Sequence, residues 1–226
     1  ARITATIPGG GSATCNVTVT ANAATVTTPP TAVTPLTYTG SPQALVNAGT
    51  ATGGTVKYAK GTNSAATESY STSIPEATDA GTYYVWYYVE GDGDHSDTTP
   101  AYVTVTIDKK AAAISFDTAS YNKEIGEANF TPALTNTGTA GSVRYSIENS
   151  GSSASIDDST GEVTISSAAG TATVTCTVTD GDNYTYATKT ATCTITITAP
   201  PSPTASPSVG NWTDGGNGDL TPDKTL

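Results

Sequence analysis

The sequence predicts an all-β protein built from tandem β-sandwich modules, and three observations carry that expectation. First, strand text repeats along the 226 residues: 13–21 read ATCNVTVTA and 191–199 read ATCTITITA, while ARITATI at 1–7 aligns with ATVTCTV at 172–178. Second, Thr makes up about a fifth of the chain and alternates with Val, Ile and Ala. A β-branched polar residue in strict alternation with apolar ones is the pattern of a strand with one face in water. Third, short apolar-alternating runs are separated by Gly, Pro and Asp clusters, with no helical period between them.

Taken in order, residues 1–22 read as a hairpin: strand Ala1–Ile7, a turn through Pro8-Gly9-Gly10-Gly11-Ser12, and strand Ala13–Thr20. Its match to the end of the chain predicts that the sequence opens inside a module, as the C-terminal hairpin of a truncated copy. After a break at Pro29-Pro30, residues 26–108 read as a first complete module. Its strand candidates are Leu36–Thr39, Gln43–Val46, Thr55–Ala59, Tyr70–Ile74, Thr82–Val89 and Ala101–Ile107. Turn residues divide them at Gly40-Ser41-Pro42, Gly53-Gly54, Asp79-Ala80-Gly81 and Gly91-Asp92-Gly93-Asp94. Residues 111–198 read as a second module. Its strands are expected at Ala113–Phe116, Asn129–Leu134, Ser142–Ile147, Ala154–Ile156, Glu162–Ser166, Thr171–Thr179 and Lys189–Thr198. Residues 199–226 begin with a Pro-rich run and continue rich in Gly, Asn and Asp, a linker composition.

Composition narrows the function classes. The net charge is −11, which disfavours nucleic acid and anionic membrane as partners, because nothing here would neutralise phosphates. No apolar run approaches the roughly 18–20 residues that span a bilayer as a helix, so no membrane insertion is expected of this segment.

The second module carries Gly141-Ser142-Val143-Arg144-Tyr145-Ser146, Ala154-Ser155-Ile156-Asp157, Thr160-Gly161-Glu162-Val163-Thr164-Ile165 and Gly170-Thr171-Ala172-Thr173-Val174-Thr175. This series resembles the bacterial immunoglobulin-like group 2 repeats found in tandem in surface and secreted proteins. Residues 1–21 resemble the end of another such copy. The first module, with Leu36-Thr37-Tyr38-Thr39-Gly40-Ser41-Pro42-Gln43 and Asp79-Ala80-Gly81-Thr82-Tyr83-Tyr84-Val85, resembles a related Ig-like repeat. The resemblance implies tandem Ig-like sandwiches, an extracellular or bacterial cell-surface location, and a tyrosine corner at Tyr83. It implies no catalytic residues. Val85 stands where the corresponding strand of antibody domains has a Cys.

The candidate sites are few. Cys176 and Cys193 share phase with Val174, Val178, Ile195 and Ile197, so both face the core. Two readings fit them. One is a cross-strand disulfide. The other is a pair of buried thiols, favoured by the repeat, in which Cys15 matches Cys193 but Ala5 matches Cys176. No Cys-x-x-Cys occurs, and His95 is the only histidine. A transition-metal site is not expected, and no cofactor is. The carboxylates of Asp92, Asp94 and Asp97, like those of Asp157-Asp158 and Asp180-Gly181-Asp182, suit calcium in kind but read more simply as loop chemistry. One His and no G-x-S-x-G leave no nucleophilic triad, so an enzyme is not expected.

The densest aromatic run is Tyr83-Tyr84-Val85-Trp86-Tyr87-Tyr88. With Tyr83, Val85 and Tyr87 inward, period two puts Tyr84, Trp86 and Tyr88 on the outer face, a candidate ligand-binding row. The sequence thus predicts a non-catalytic spacer or stalk whose partners are the neighbouring modules of its own polypeptide. The alternatives are an adhesion or carbohydrate-binding module, with a glycan or host surface protein on that row, and an accessory module of a multidomain carbohydrate-active enzyme.

Overall fold

A computed structural model describes residues 2–16, 20–152, 154–202, 213–214 and 220–221. Every regular element among them is a β-strand, so the described fold is all-β. The backbone divides into two compact units. The first comprises Ala1–Ser115, Leu134–Val143 and Thr177–Ala191, and the second Phe116–Ala133, Arg144–Cys176 and Thr192–Leu226.

The first unit opens on the hairpin Arg2–Ile7 and Gly11–Asn16, antiparallel with Ile3 opposite Cys15 and Ala5 opposite Ala13. Gly9 and Gly10 make the turn at φ 116° and 96°, a backbone that L side chains resist. The main sheet orders its strands Gly54–Gly61, Gly81–Gly91, Ala101–Asp108 and Leu36–Thr37. The first three run antiparallel, and Leu36–Thr37 joins parallel to the end of Ala101–Asp108. Short pairs complete the sandwich: Thr25–Thr28 with Thr50–Thr52, Thr31–Ala32 with Val46–Asn47, and Gln43–Ala44 with Glu76–Ala77. Leu36, Leu45, Val46, Tyr58, Val85, Val105 and Ile107 form the core. Buried Tyr58 keeps its polar tip satisfied, since the Gly49 N–H donates to its Oη at 2.9 Å. Asp79-Ala80-Gly81 delivers the tyrosine corner: the Tyr83 hydroxyl donates to the Asp79 carbonyl at 2.7 Å.

A second four-stranded sheet orders Ser120–Glu124, Thr190–Thr198, Gly170–Val178 and Val143–Ser150. Ala154–Ile156 and Val163–Ile165 form a hairpin. The core is Ala154, Val163, Ile165, Ala172, Val174, Cys193, Ile195 and Ile197, packed by Phe116, Tyr121, Ile125, Phe130, Ile147 and Ile156. The Thr-alternating strands thus bury every second residue, as their pattern predicts.

Several elements differ from the sequence reading, each for a local reason. Tyr70–Ile74 is not a strand: only Ser71 bridges, through a two-way bond with Tyr58. The following Pro75 cannot donate to a ladder, and the strand falls instead at Glu76–Ala77. Asn129–Leu134 is interrupted by Pro132; Phe130 bridges Val163, and the strand begins at Leu134. The stretch around Pro29-Pro30 is not a gap between elements: Thr25–Thr28 and Thr31–Ala32 flank it, and Pro30 is buried. Asn22–Ala23 also pairs, parallel to His95–Ser96. Lys110–Ala112, Ser120–Glu124 and Tyr184–Tyr186 are further strands that the apolar alternation did not mark. The strand expected through residues 17–19 and most of the linker after 202 lie outside the described residues.

Candidate functional site

The outer face of the first main sheet gathers aromatic side chains from three segments. On Gly81–Gly91, Val85 is fully buried and Tyr83 and Tyr87 pack on the core, so Tyr84, Trp86 and Tyr88 share the opposite face. Register places Trp86 beside Tyr102 and Tyr84 beside Thr104. Tyr102 meets Trp86 at 4.9 Å between ring centroids and Tyr84 edge-on at 5.6 Å. Tyr88 is met edge-on by Tyr70 at 4.7 Å. On the other flank, register sets Ala59 opposite Trp86 and Gly61 opposite Tyr84. A Cβ at Gly61 would stand 2.8 Å from the indole, so only glycine admits it. The indole N–H donates to the Thr62 carbonyl at 2.7 Å. Lys57, opposite Tyr88, reaches Glu90 at 3.0 Å.

The three predicted aromatics are therefore brought to one face, but each is half-buried and engaged. The ring most open to solvent is one the sequence reading missed, Tyr102, 43% exposed. A period-two reading of Ala101–Ile107 would have found it, because Val103, Val105 and Ile107 claim the inward phase. Chemically, the face offers flat apolar rings with a phenol rim and a flanking ion pair, suited to stacking rather than to bond making.

A second polar cluster lies within the first unit. Asn183 accepts from the Ala80 N–H at 2.7 Å through its side-chain oxygen and donates from Nδ2 to the Asp79 carboxylate at 3.0 Å. Its carbonyl accepts from the Lys110 N–H at 2.9 Å. The Lys109 ammonium donates to the Gly181 carbonyl at 2.7 Å. Tyr38 and Tyr184 close edge-on at 5.4 Å. Lys110–Ala112 then pairs in parallel with Tyr184–Tyr186. The Asp180–Asn183 loop, read from sequence as acidic loop chemistry, is thus a clasp onto residues 79–80 and 109–110.

The acidic loops hold their own backbone. Asp157 Oδ1 accepts from the Ser159 hydroxyl and from the N–H groups of Ser159 and Thr160 at 2.7–3.0 Å, which holds its carboxyl far below the usual range. Asp180 Oδ1 accepts from Lys189 and from the Tyr186 N–H, and is lowered chiefly by Lys189. Asp92 is lowered by its 2.7 Å bond to His95 and by the Asp94 N–H. Asp97 accepts from the Gly91 N–H at 2.9 Å. Among the described residues no three His, Cys, Asp or Glu side chains are grouped to hold a metal ion.

Cys176 and Cys193 are both buried, with free thiols. Burial pushes the Cys193 thiol up to about 11. It also raises Cys176, which a hydrogen bond with Tyr145 partly offsets. Cys15 is exposed.

No family model and no curated protein matches this sequence. Among solved structures it is similar to the N-terminal four Ig domains of Dscam1 isoform 9.44, at 14% identity over 84% of this chain and 51% of that one, TM-score 0.37. It is also similar to Drosophila N-cadherin EC1-3, at 14% identity over 76% of this chain and 68% of that one, TM-score 0.30. A third is the protocadherin gammaB7 EC3-6 cis-dimer structure, at 14% identity over 95% of this chain and 63% of that one, TM-score 0.34. The chain spans about half the length of the Dscam1 structures it matches.

Proposed function

We propose that this chain is a non-catalytic spacer of a bacterial cell-surface or secreted protein, built from the Ig-like group 2 repeats and related repeats that its sequence resembles. The observation that carries the reading is the clasp at Asp79, Ala80, Lys109, Lys110, Gly181 and Asn183. It occupies the backbone where one predicted module runs into the next. A spacer outside the cell must deny proteases its connecting segments, and here the connection is itself paired into a sheet. Trypsin tests this directly, because Lys109 and Lys110 sit in the clasp. The native chain should resist cleavage between residues 109 and 111 under conditions that digest the urea-unfolded chain. Asn183→Ala should accelerate cleavage there while other sites stay protected. Rapid cutting at Lys109 or Lys110 in the native chain would remove the basis for the spacer.

A second reading rests on Tyr102, the large exposed ring beside Trp86. The face would stack on the apolar side of a sugar ring, making the chain an adhesion module or an accessory module of a carbohydrate-active enzyme. Tyr102→Ala is the clean probe, since the ring is exposed and its loss should leave the fold intact. A glycan array is expected to show severalfold weaker binding for that variant, each stacked ring contributing about 0.5–1.5 kcal/mol. An array with no signal for the parent chain sinks this reading and leaves the spacer.

A further inference from the structure

The Arg2–Asn16 hairpin is amphipathic in register. Ile3, Ala5, Ile7, Ala13 and Cys15 fall in one phase, and Arg2, Thr4, Thr6, Ser12, Thr14 and Asn16 in the other. Ile7 is 66% exposed, and Ala13 and Cys15 are exposed as well. The internal repeat shows what such a face does when it is covered. Ile3, Ala5 and Ile7 align with Val174, Cys176 and Val178, and Cys15 aligns with Cys193. Those four matches are 2% exposed or less. Arg2 and Thr4 align with Thr173 and Thr175, which lie outside the core. Of the covered residues, Val174 and Cys193 are packed by Phe116, Tyr121, Ile125, Phe130, Ile147 and Ile156 together with Ala154, Val163 and Ile165. All of these packing residues come from residues 116–165. An isolated two-stranded hairpin is marginal in water, so this face is stable only against a comparable set of side chains.

We infer that the Arg2–Asn16 ribbon is a docking element that completes a β-sandwich supplied by polypeptide with the apolar pattern of residues 111–169. This goes beyond the spacer reading, because it gives one end of the chain a defined partner: a sandwich lacking its last two strands. The recognition is main-chain pairing at the edge plus an inward row of aliphatic side chains.

Two experiments test it, with Cys15 as reporter. In the chain as it stands, a thiol reagent should modify Cys15 rapidly and Cys176 and Cys193 slowly, read site by site by mass spectrometry. Fusing a second copy of residues 111–169 ahead of Ala1 raises its effective concentration at the ribbon. Cys15 labelling should then slow by about two orders of magnitude, as for a site that reacts only on opening. Unchanged Cys15 labelling in the fusion overturns the inference. So does a dimer of the unfused chain that already protects Cys15, since a second copy would then be the occupant. Independently, the ribbon's residues are moved into the covered position by T173R, V174I, C176A, V178I and T194N in the full chain. Cooperative melting with Cys193 still protected is expected, and loss of either overturns the equivalence on which the inference stands.

Discussion

Tyr83 shows how one side chain fixes a strand's entry. Its hydroxyl reaches back to the Asp79 carbonyl, and its ring packs on the first core. Tyr83→Phe keeps the ring and removes one donor, so a loss of about 0.5–1.5 kcal/mol is expected by urea denaturation. A loss near zero would mean that water replaces the bond without cost. Gly53 is a position where sequence alone signals only a turn. Its φ is 77° and a Cβ there would press within 2.6 Å of the His95 ring, so both backbone and space demand glycine. Cys193 adds a pH signature. Its thiol ionises at about 11 in the fold against 9.0 for the free group, so the folded state holds this proton more tightly. The contribution is complete below pH 9 and is lost as the pH rises toward 11. Tyr83, Tyr70 and Tyr145, all raised chiefly by burial, act in the same direction. Stability followed by urea midpoint should therefore fall on the alkaline side, and Cys193→Ala should flatten part of that fall. An unchanged slope would assign it to the tyrosines alone.

At the scale of elements, legibility followed burial. Gly170–Val178 and Thr190–Thr198 alternate cleanly because one face is core and the other is water, and their ends were readable to within about a residue. Ser120–Glu124 was not, because its inward residues Tyr121 and Lys123 are only half-buried and its pairing is parallel to Thr190–Thr198. No turn residue announces such a partner. Asn22–Ala23 and Thr25–Thr28 were hidden by Pro29-Pro30, which reads as a break though Pro30 is buried. The aromatic row was legible from period two once Val85 was placed inward; Tyr70 was not, since it lies outside any strand. The Asn183 clasp was invisible for a different reason. It joins residues about a hundred positions apart in sequence, and single-sequence patterns report only neighbours. Its energetics can be separated by a double-mutant cycle on Asp79→Ala and Asn183→Ala. Each single change should cost about 0.5–1.5 kcal/mol, and the double change less than their sum. Strict additivity would show the side-chain bond to be idle.

For the whole molecule, the two hydrophobic clusters share no residue. Each is dominated by aliphatic side chains, and among the described residues no charged side chain is buried. Hydrophobic burial is thus the main favourable term in each. Two such cores imply two cooperative steps, or one step that either core can weaken. Leu45 and Ile195 are the probes, because both are fully buried and each lies in one cluster alone. Truncating either to Ala removes a large aliphatic side chain and leaves a cavity, at a cost of about 2–5 kcal/mol. In scanning calorimetry Leu45→Ala should lower one transition and Ile195→Ala the other. A single transition lowered equally by both would mean that the units unfold as one cooperative body. Cys15 labelling during the same melt reports the Arg2–Asn16 hairpin separately, and it should respond to neither substitution.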